Sequence, residues 1–401
     1  MPLVGRHREI PSVPFVGRHR EIPSAPFVGR HREIPSVPFV GRHKEIPSVP
    51  FVGRDRESPN VSLVGREREL PNVPFAERQE RPNMPFAERA KLRLADLLVL
   101  IVFCALGWVG CSNAASETNV APGFTVLGTK KEKGITEMEV SYPSDSLTVR
   151  GFLYLPKKGG RRPAVIFNHG GVSGVSVDVK RRSRDLADLG YVVFAPTYRG
   201  EGGSEGRIEV AGGEVTDVLT AADLLSRNPR VQPDRMAIAG SSHGALISVL
   251  AAARAPDRFR CVVDACGVMD VVTWYQFLVD SKGVAAVSDS LSLAIYGNGP
   301  ADRPDAFKIR QATRVAADIR IPMLMQYARQ DTIVPLGQAQ VFTQAMIKAG
   351  RPAPDLRIYA QLGHAFWFWN DPKSHTKEQL EEVEKSWKDF TEFLEDHLKK
   401  S

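Results

Sequence analysis

Sulfur is sparse in this chain. Four cysteines stand among 401 residues, at positions 104, 111, 261 and 266. Cys104 and Cys111 lie in or beside an apolar run. Cys261 and Cys266 flank a β-rich run, and their odd separation sets them on opposite strand faces, roughly 16 Å apart. A disulfide cannot span that distance. No cysteine grouping has the spacing of a metal site, so no metal and no cofactor are expected, and both C-terminal cysteines read as small core hydrophobes. A run long enough to cross a bilayer is missing too. The apolar stretch 97–110 is too short for a spanning helix, which needs about 20 residues. Net charge is scarce in the larger part of the chain. Residues 1–93 hold 17 basic and 11 acidic groups, whereas the remainder holds 36 and 35. The formal +7 therefore belongs almost wholly to the N-terminal segment. The near-neutral remainder argues against nucleic acid as a partner.

What is present begins with repetition. Val-Gly-Arg-His recurs at Val4, Val16, Val28 and Val40, then decays to Val52-Gly-Arg-Asp and Val64-Gly-Arg-Glu. A twelve-residue unit with two prolines cannot build a helix hairpin or a propeller blade, and solenoid periods are longer. One reading of residues 1–83 is an extended, Pro-rich interaction tail. The near-identity of the early copies favours the other, translated repetitive DNA ahead of a true start at Met84. From there Arg89, Lys91 and Arg93 precede the apolar stretch, in the arrangement of an export signal over 84–115. Trp108-Val109-Gly110-Cys111 resembles a bacterial lipoprotein signal, which implies lipidation at Cys111. Ordinary cleavage near Ala114 and an uncleaved anchor are the alternatives. All three put residues 120–401 outside the cytoplasm: periplasmic, anchored to a membrane, or extracellular.

Residues 120–401 alternate strand and helix patterns, which predicts an α/β fold with a mostly parallel central sheet flanked by helices. Ile135–Tyr142 and Leu147–Leu155 form an opening hairpin across Pro143-Ser144-Asp145-Ser146. Further strands are expected at Ala164–Phe167, Tyr191–Ala195, Met236–Ala239, Arg260–Ala265, Pro322–Tyr327 and Leu356–Tyr359. Val215, Val218, Leu219, Ala222 and Leu225 share one helical face, as do Leu246, Val249, Leu250 and Ala253. A last helix aligns Leu380, Val383, Trp387, Phe390 and Leu394. The connection 270–316 is expected to form a small cap.

Ligands of such sheets bind beyond the carboxyl ends of the strands, so the segments that follow each strand carry the chemistry. After Met236–Ala239 comes Gly240-Ser241-Ser242-His243-Gly244, a G-x-S-x-G turn. Its glycines let a strand bend sharply into a helix and leave Ser242 exposed at the tip. After Ala164–Phe167 come Asn168-His169-Gly170-Gly171, whose glycines can aim N–H groups at a developing oxyanion. His169 belongs to the turn, and His243 is expected to serve through its backbone N–H. Asp331 follows one late strand and His364 the next. A carboxylate on the far nitrogen of an imidazole sets its tautomer and stabilises its charged form. Asp264 and Asp270 are rival acids, and His375 and His397 read as surface residues. Ser, Asp, His is the chain order of α/β-hydrolases.

Residues 135–400 resemble the catalytic domain of the prolyl oligopeptidase (S9) family, with dienelactone-hydrolase-like esterases close by. The resemblance is carried by NHGG at 168–171, GYVVFAPTYRGEGGSEG at 190–206, GSSHG at 240–244, ARQDTIVP at 328–335 and GH at 363–364. It implies an α/β-hydrolase fold and a Ser242–Asp331–His364 triad. It also implies an oxyanion hole from the N–H groups of His243 and of Gly171 or Gly170. Some relatives have a hole-forming tyrosine where this chain has His169. The propeller of the family has no counterpart in the repeat and signal segments. Tyr198 and the cap residues Trp274, Tyr275 and Phe277 are expected at the substrate pocket, with Arg199 holding the glycine-rich loop. The implied substrate is a small ester or a short peptide, and the rival class is a non-catalytic binding protein on the same fold.

Expression in a bacterial host should yield mature protein that begins at or soon after Cys111, as read by intact-mass and peptide mass spectrometry. Peptides from residues 1–80 in the mature product would overturn this.

Overall fold

The computed structural model describes residues 120–400. The repeats, the 84–115 segment, Cys104 and Cys111 lie outside the described residues.

Among the described residues, nine strands form one sheet in the order β1-β2-β3-β5-β4-β6-β7-β8-β9. They are β1 (Thr125–Glu132), β2 (Ile135–Ser144), β3 (Leu147–Leu155), β4 (Arg162–Asn168), β5 (Val192–Pro196), β6 (Val231–Ser241), β7 (Cys261–Ala265), β8 (Met323–Ala328) and β9 (Asp355–Tyr359). The pairs from β1 to β5 are antiparallel, and every pair from β5 to β9 is parallel. The helices are α1 (Val177–Asp188), α2 (Glu214–Ser226), α3 (His243–Arg254), α4 (Val271–Lys282), α5 (Ser290–Tyr296), α6 (Pro304–Lys308), α7 (Gly337–Lys348) and α8 (Lys377–Leu398).

The central strands are buried on both faces, which is why they read as unbroken apolar runs. Their two-residue period then sorts the side chains into two layers. Ala164, Ile166, Val192, Phe194, Met236 and Ile238 pack under α2, α3 and α7. Val165, Phe167, Val193, Ala195, Ala237 and Ala239 pack under α1 and α8. On that second face Trp367 stacks on Phe390, with ring centroids 4.7 Å apart. The predicted stripe of the last helix is the buried stripe of α8 at Val383, Trp387, Phe390 and Leu394, while Leu380 is only half-buried.

Two elements carry little sequence signal. β1 is an edge strand with every residue exposed, so nothing imposes an apolar alternation on it. α1 reads VDVKRRSRDLAD, and part of its buried face is a cation: Arg182 lies 4.3 Å from the Trp387 ring centre and donates to the Trp367 carbonyl. The expectation that Cys261 and Cys266 point to opposite faces fails. Both are buried in the same layer. The strand ends at Ala265, and Cys266 takes a left-handed backbone (φ 49°) that breaks the alternation.

Arg199 ties the upper edge of the sheet together. Asp217 of α2 accepts its backbone N–H (2.8 Å) and guanidinium (2.8 Å), and also the Ser144 hydroxyl (2.6 Å). The same guanidinium reaches Asp145 in the β2–β3 turn and Glu209 in the loop before α2. Asp217 is fully buried, so removing Arg199 strands a carboxylate without its cation. Arg199→Ala should therefore cost roughly 3–5 kcal/mol in urea unfolding. Arg184→Ala, whose pair with Glu137 is partly solvated, should cost about 1 kcal/mol or less.

Candidate active site

The site is built at the ends of β4, β6, β8 and β9. Between β6 and α3 the backbone of Ser242 takes φ 55° and ψ −119°, a strained conformation for a residue with a side chain. Close packing holds it there. A Cβ at Gly244 would lie 2.4 Å from the carbonyl oxygens of Asn168 and His169, so only glycine lets the first turn of α3 meet the β4 loop. The Ser242 N–H donates to the Ala265 carbonyl (2.8 Å) on the other side. Ser241 points inward, its hydroxyl 3.6 Å from the Cys266 sulfur.

Ser242, His364 and Asp331 are brought into one hydrogen-bonded chain. His364 Nε2 lies 2.8 Å from Ser242 Oγ, and Nδ1 lies 2.7 Å from Asp331 Oδ2. The other oxygen, Asp331 Oδ1, accepts the N–H groups of Ile333 and Val334, each at 2.8 Å. Because that carboxylate only accepts, the ring proton sits on Nδ1, and Nε2 offers its lone pair to the serine hydroxyl. Burial works against the imidazolium of His364, but Cys266 and the Asp331 carboxylate outweigh it, and the net shift is upward. This arrangement can draw a proton from Ser242 and hold it.

The rival acids point elsewhere. Asp270 caps α4 by accepting the Thr273 N–H. Asp264 is fully buried, with Oδ1 on the Gly267 N–H and Oδ2 on the Tyr327 hydroxyl (2.9 Å). Tyr327 also lies 2.6 Å from the Gly267 carbonyl, and it has one proton to give. If the shorter contact takes it, Asp264 must supply the proton of the longer one and is uncharged. Burial accordingly raises Asp264 to about 7.

Around the His169–Gly174 loop several side chains act together. Gly170 lies against the elbow, where a Cβ would sit 2.8 Å from the Ser241 carbonyl oxygen. His169 Nδ1 donates to the Gly170 carbonyl (3.0 Å), and His243 Nδ1 to that of Gly171 (2.9 Å). Sequence reasoning assigned His243 a backbone role only, and its ring turns out to hold the loop. Nothing in the sequence places that ring beside a carbonyl 72 residues away. Tyr198 is fully buried rather than lining an open pocket. It stacks on His169 (4.3 Å between ring centres) and donates to the His169 carbonyl. Glu201, also missed in the sequence, accepts the Gly174 N–H and lies 3.6 Å from His169 Nε2. Burial pushes Glu201 up to about 7 and His169 down to about 4, so His169 is a neutral strut and not a second base.

The cap expected over 270–316 consists of α4, α5, α6 and two 3₁₀ turns. Trp274 is half-buried and its indole donates to the Ile333 carbonyl (2.9 Å), beside Asp331. Phe277 is half-buried, and Tyr275 is buried against Tyr296 and Phe307 as cap core. His375 stacks on Trp369, whose indole holds the His364 carbonyl. His397 is half-buried and packs on Phe393. Contrary to the expectation from spacing, one cysteine does join a ligand-type group. Donor atoms of Cys266, Asp331 and His364 all lie within 4.8 Å of one another. Those residues are far apart in the chain, so no local pattern announces the cluster.

Asp264→Asn reproduces the hydrogen bonds of an uncharged Asp264 and should retain the fold. The folded state raises this carboxyl, so its stabilising contribution is complete below about pH 4 and is lost as pH rises through about 7. The variant should thus gain on the native protein by roughly 2–4 kcal/mol between pH 4 and pH 8, read by urea unfolding at both. An unchanged difference would sink the protonated assignment.

Comparison with known proteins bears on the family and the fold. A family model described as the prolyl oligopeptidase family matches residues 178–401. The chain is similar to an uncharacterized peptidase, YtmA, of Bacillus subtilis, at 26% identity over 57% of this chain and 85% of that protein. Among solved structures it is similar to Pyrococcus horikoshii acylaminoacyl peptidase (TM-score 0.53, 18% identity, 70% of this chain and 50% of that one). It is also similar to an acetyl xylan esterase from Paenibacillus sp. R4 (TM-score 0.52, 17% identity, 69% of this chain and 88% of that one). At such identities the structures bear on the fold alone, and that fold is the α/β-hydrolase fold. The family match covers more than half of the sequence, and the chain belongs to the prolyl oligopeptidase family.

Proposed function

We propose that the chain is a serine hydrolase that cleaves a carboxylic ester or peptide bond through an acyl-enzyme on Ser242. The observation that carries this reading is the unbroken hydrogen-bond chain from Ser242 through His364 to Asp331. In the reaction Ser242 Oγ attacks the carbonyl carbon as its proton passes to His364 Nε2. The carbonyl oxygen becomes an oxyanion facing the N–H groups of His243 and of Gly171 or Gly170. Collapse breaks the bond to the alcohol or amine, which leaves with the proton from Nε2. Water then gives a proton to the same nitrogen as its oxygen attacks the acyl carbon; the bond to Oγ breaks, and Ser242 takes the proton back from Nε2 as the acid is released. Trp274 and Phe277 are the cap residues we assign to the substrate side.

A carboxylesterase is the second reading. It is favoured by the similarity to a putative carboxymethylenebutenolidase of Methylorubrum extorquens, at 26% identity over 58% of this chain and 73% of that protein. Export through the 84–115 segment, with membrane attachment at Cys111 or through the apolar run, completes the proposal.

Purified protein should label stoichiometrically with a fluorophosphonate, and Ser242→Ala should lose both label and turnover. Asp331→Asn should fold normally and lose on the order of 10⁴ in kcat. Labelling that persists in Ser242→Ala would leave the non-catalytic reading as the better one. Matched aryl esters and aminoacyl anilides decide between the two substrates.

The base works only while His364 is neutral. Because its folded value is raised, kcat/KM should fall as pH drops through a midpoint above 6.5. A midpoint below that value in the pH–rate profile would contradict the assigned environment.

A further inference from the structure

The reaction above uses His364 and Asp331 but gives Cys266 no step. Cys266 is nevertheless fully buried beside them, turned there by its left-handed backbone at the end of β7. A thiol, an imidazole and a carboxylate with donor atoms within 4.8 Å of one another are the ligand types that zinc and cadmium take. We propose that Cys266, Asp331 and His364 form a binding site for a thiophilic divalent cation, and that filling it switches the hydrolase off.

Bond lengths of about 2.0–2.3 Å put tetrahedral zinc ligands about 3.3–3.8 Å apart. Side-chain movements of about 1 Å therefore suffice, and the larger cadmium ion needs less. His364 is the way in, since its side chain keeps 19% of its surface exposed. On binding, the Cys266 S–H proton leaves to solvent and the sulfur ligates as thiolate. The imidazole gives one nitrogen lone pair and keeps its single proton on the other nitrogen. Asp331 shifts an oxygen from the ring to the metal. Each exchange removes something Ser242 needs, either the free lone pair or the carboxylate that orients the ring. Magnesium and calcium require more oxygen ligands than this cluster offers and should not bind.

The loss of activity rests on the serine-hydrolase reading, whereas the site itself does not. The test is titration of the purified full chain with cadmium chloride, then zinc chloride. Binding is read from the ultraviolet thiolate-to-cadmium absorption and activity from aryl ester hydrolysis. Wild type should bind one cadmium with an absorption that Cys266→Ser lacks. Hydrolysis should fall at least tenfold in step with binding, return with EDTA, and be unaffected by magnesium or calcium. Cys266→Ser, or Cys266→Ala if the serine variant does not fold, should keep hydrolysing and need at least tenfold more cadmium for half-inhibition. Equal sensitivity of that variant, or saturation of wild type with no loss of hydrolysis, overturns the switch. An absorption that survives Cys266→Ser overturns the site. If wild type hydrolyses nothing, the absorption lost in Cys266→Ser still supports the site, and it is the hydrolase reading that fails.

Discussion

Everything at this site depends on one strained turn. A serine held at φ 55° and ψ −119° costs on the order of 1–3 kcal/mol, which the surroundings must supply. They do so from both flanks, by the close approach of Gly244 to the β4 loop and by the Ser242 N–H bond to the end of β7. The same contacts that hold the elbow therefore bring the His169–Gly171 loop and Cys266 to its two sides. β8 and β9 lie two and three strands from β6, about 10 and 14 Å away at ordinary strand spacing. Only residues on the loops beyond those strands can reach back to Ser242, and that is where Asp331 and His364 stand.

The polar groups packed behind the elbow follow a second constraint, the cost of burying charge. Asp264, Glu201 and His169 are all buried, and in each case burial shifts the group toward its neutral form. As neutral groups they serve as struts, making the hydrogen bonds that a rigid loop needs without adding competing charges. Asp331 differs in its partners, with two backbone N–H groups on one oxygen and an imidazole on the other.

Local patterns in the chain carry the central strands, because burial on both faces demands continuous apolar residues at each of them. The elbow is equally legible, since its glycines are required by backbone contacts and not by partners far away. β1 left no trace because an exposed edge strand is specified by pairing with β2 alone. The ring of His243 and the whole of Tyr198 were misread for one reason. A side chain's direction at a positive-φ residue or a helix start depends on what packs against it, and in both cases that is a loop distant in sequence.

The sequence by itself determined the alternation of strands and helices, the turn at Ser242 and the order of Ser, Asp and His, all set by spacing and backbone chemistry within a few residues. The tertiary structure alone decided what the two rival aspartates do. Asp264 is spent on Gly267 and Tyr327, and Asp270 on a helix cap. It also decided that Cys266, one residue past a strand end, turns to the triad side instead of the face that its parity implies. The Asp264–Tyr327 bond and the packing of Cys266 join segments tens of residues apart, which no local pattern encodes.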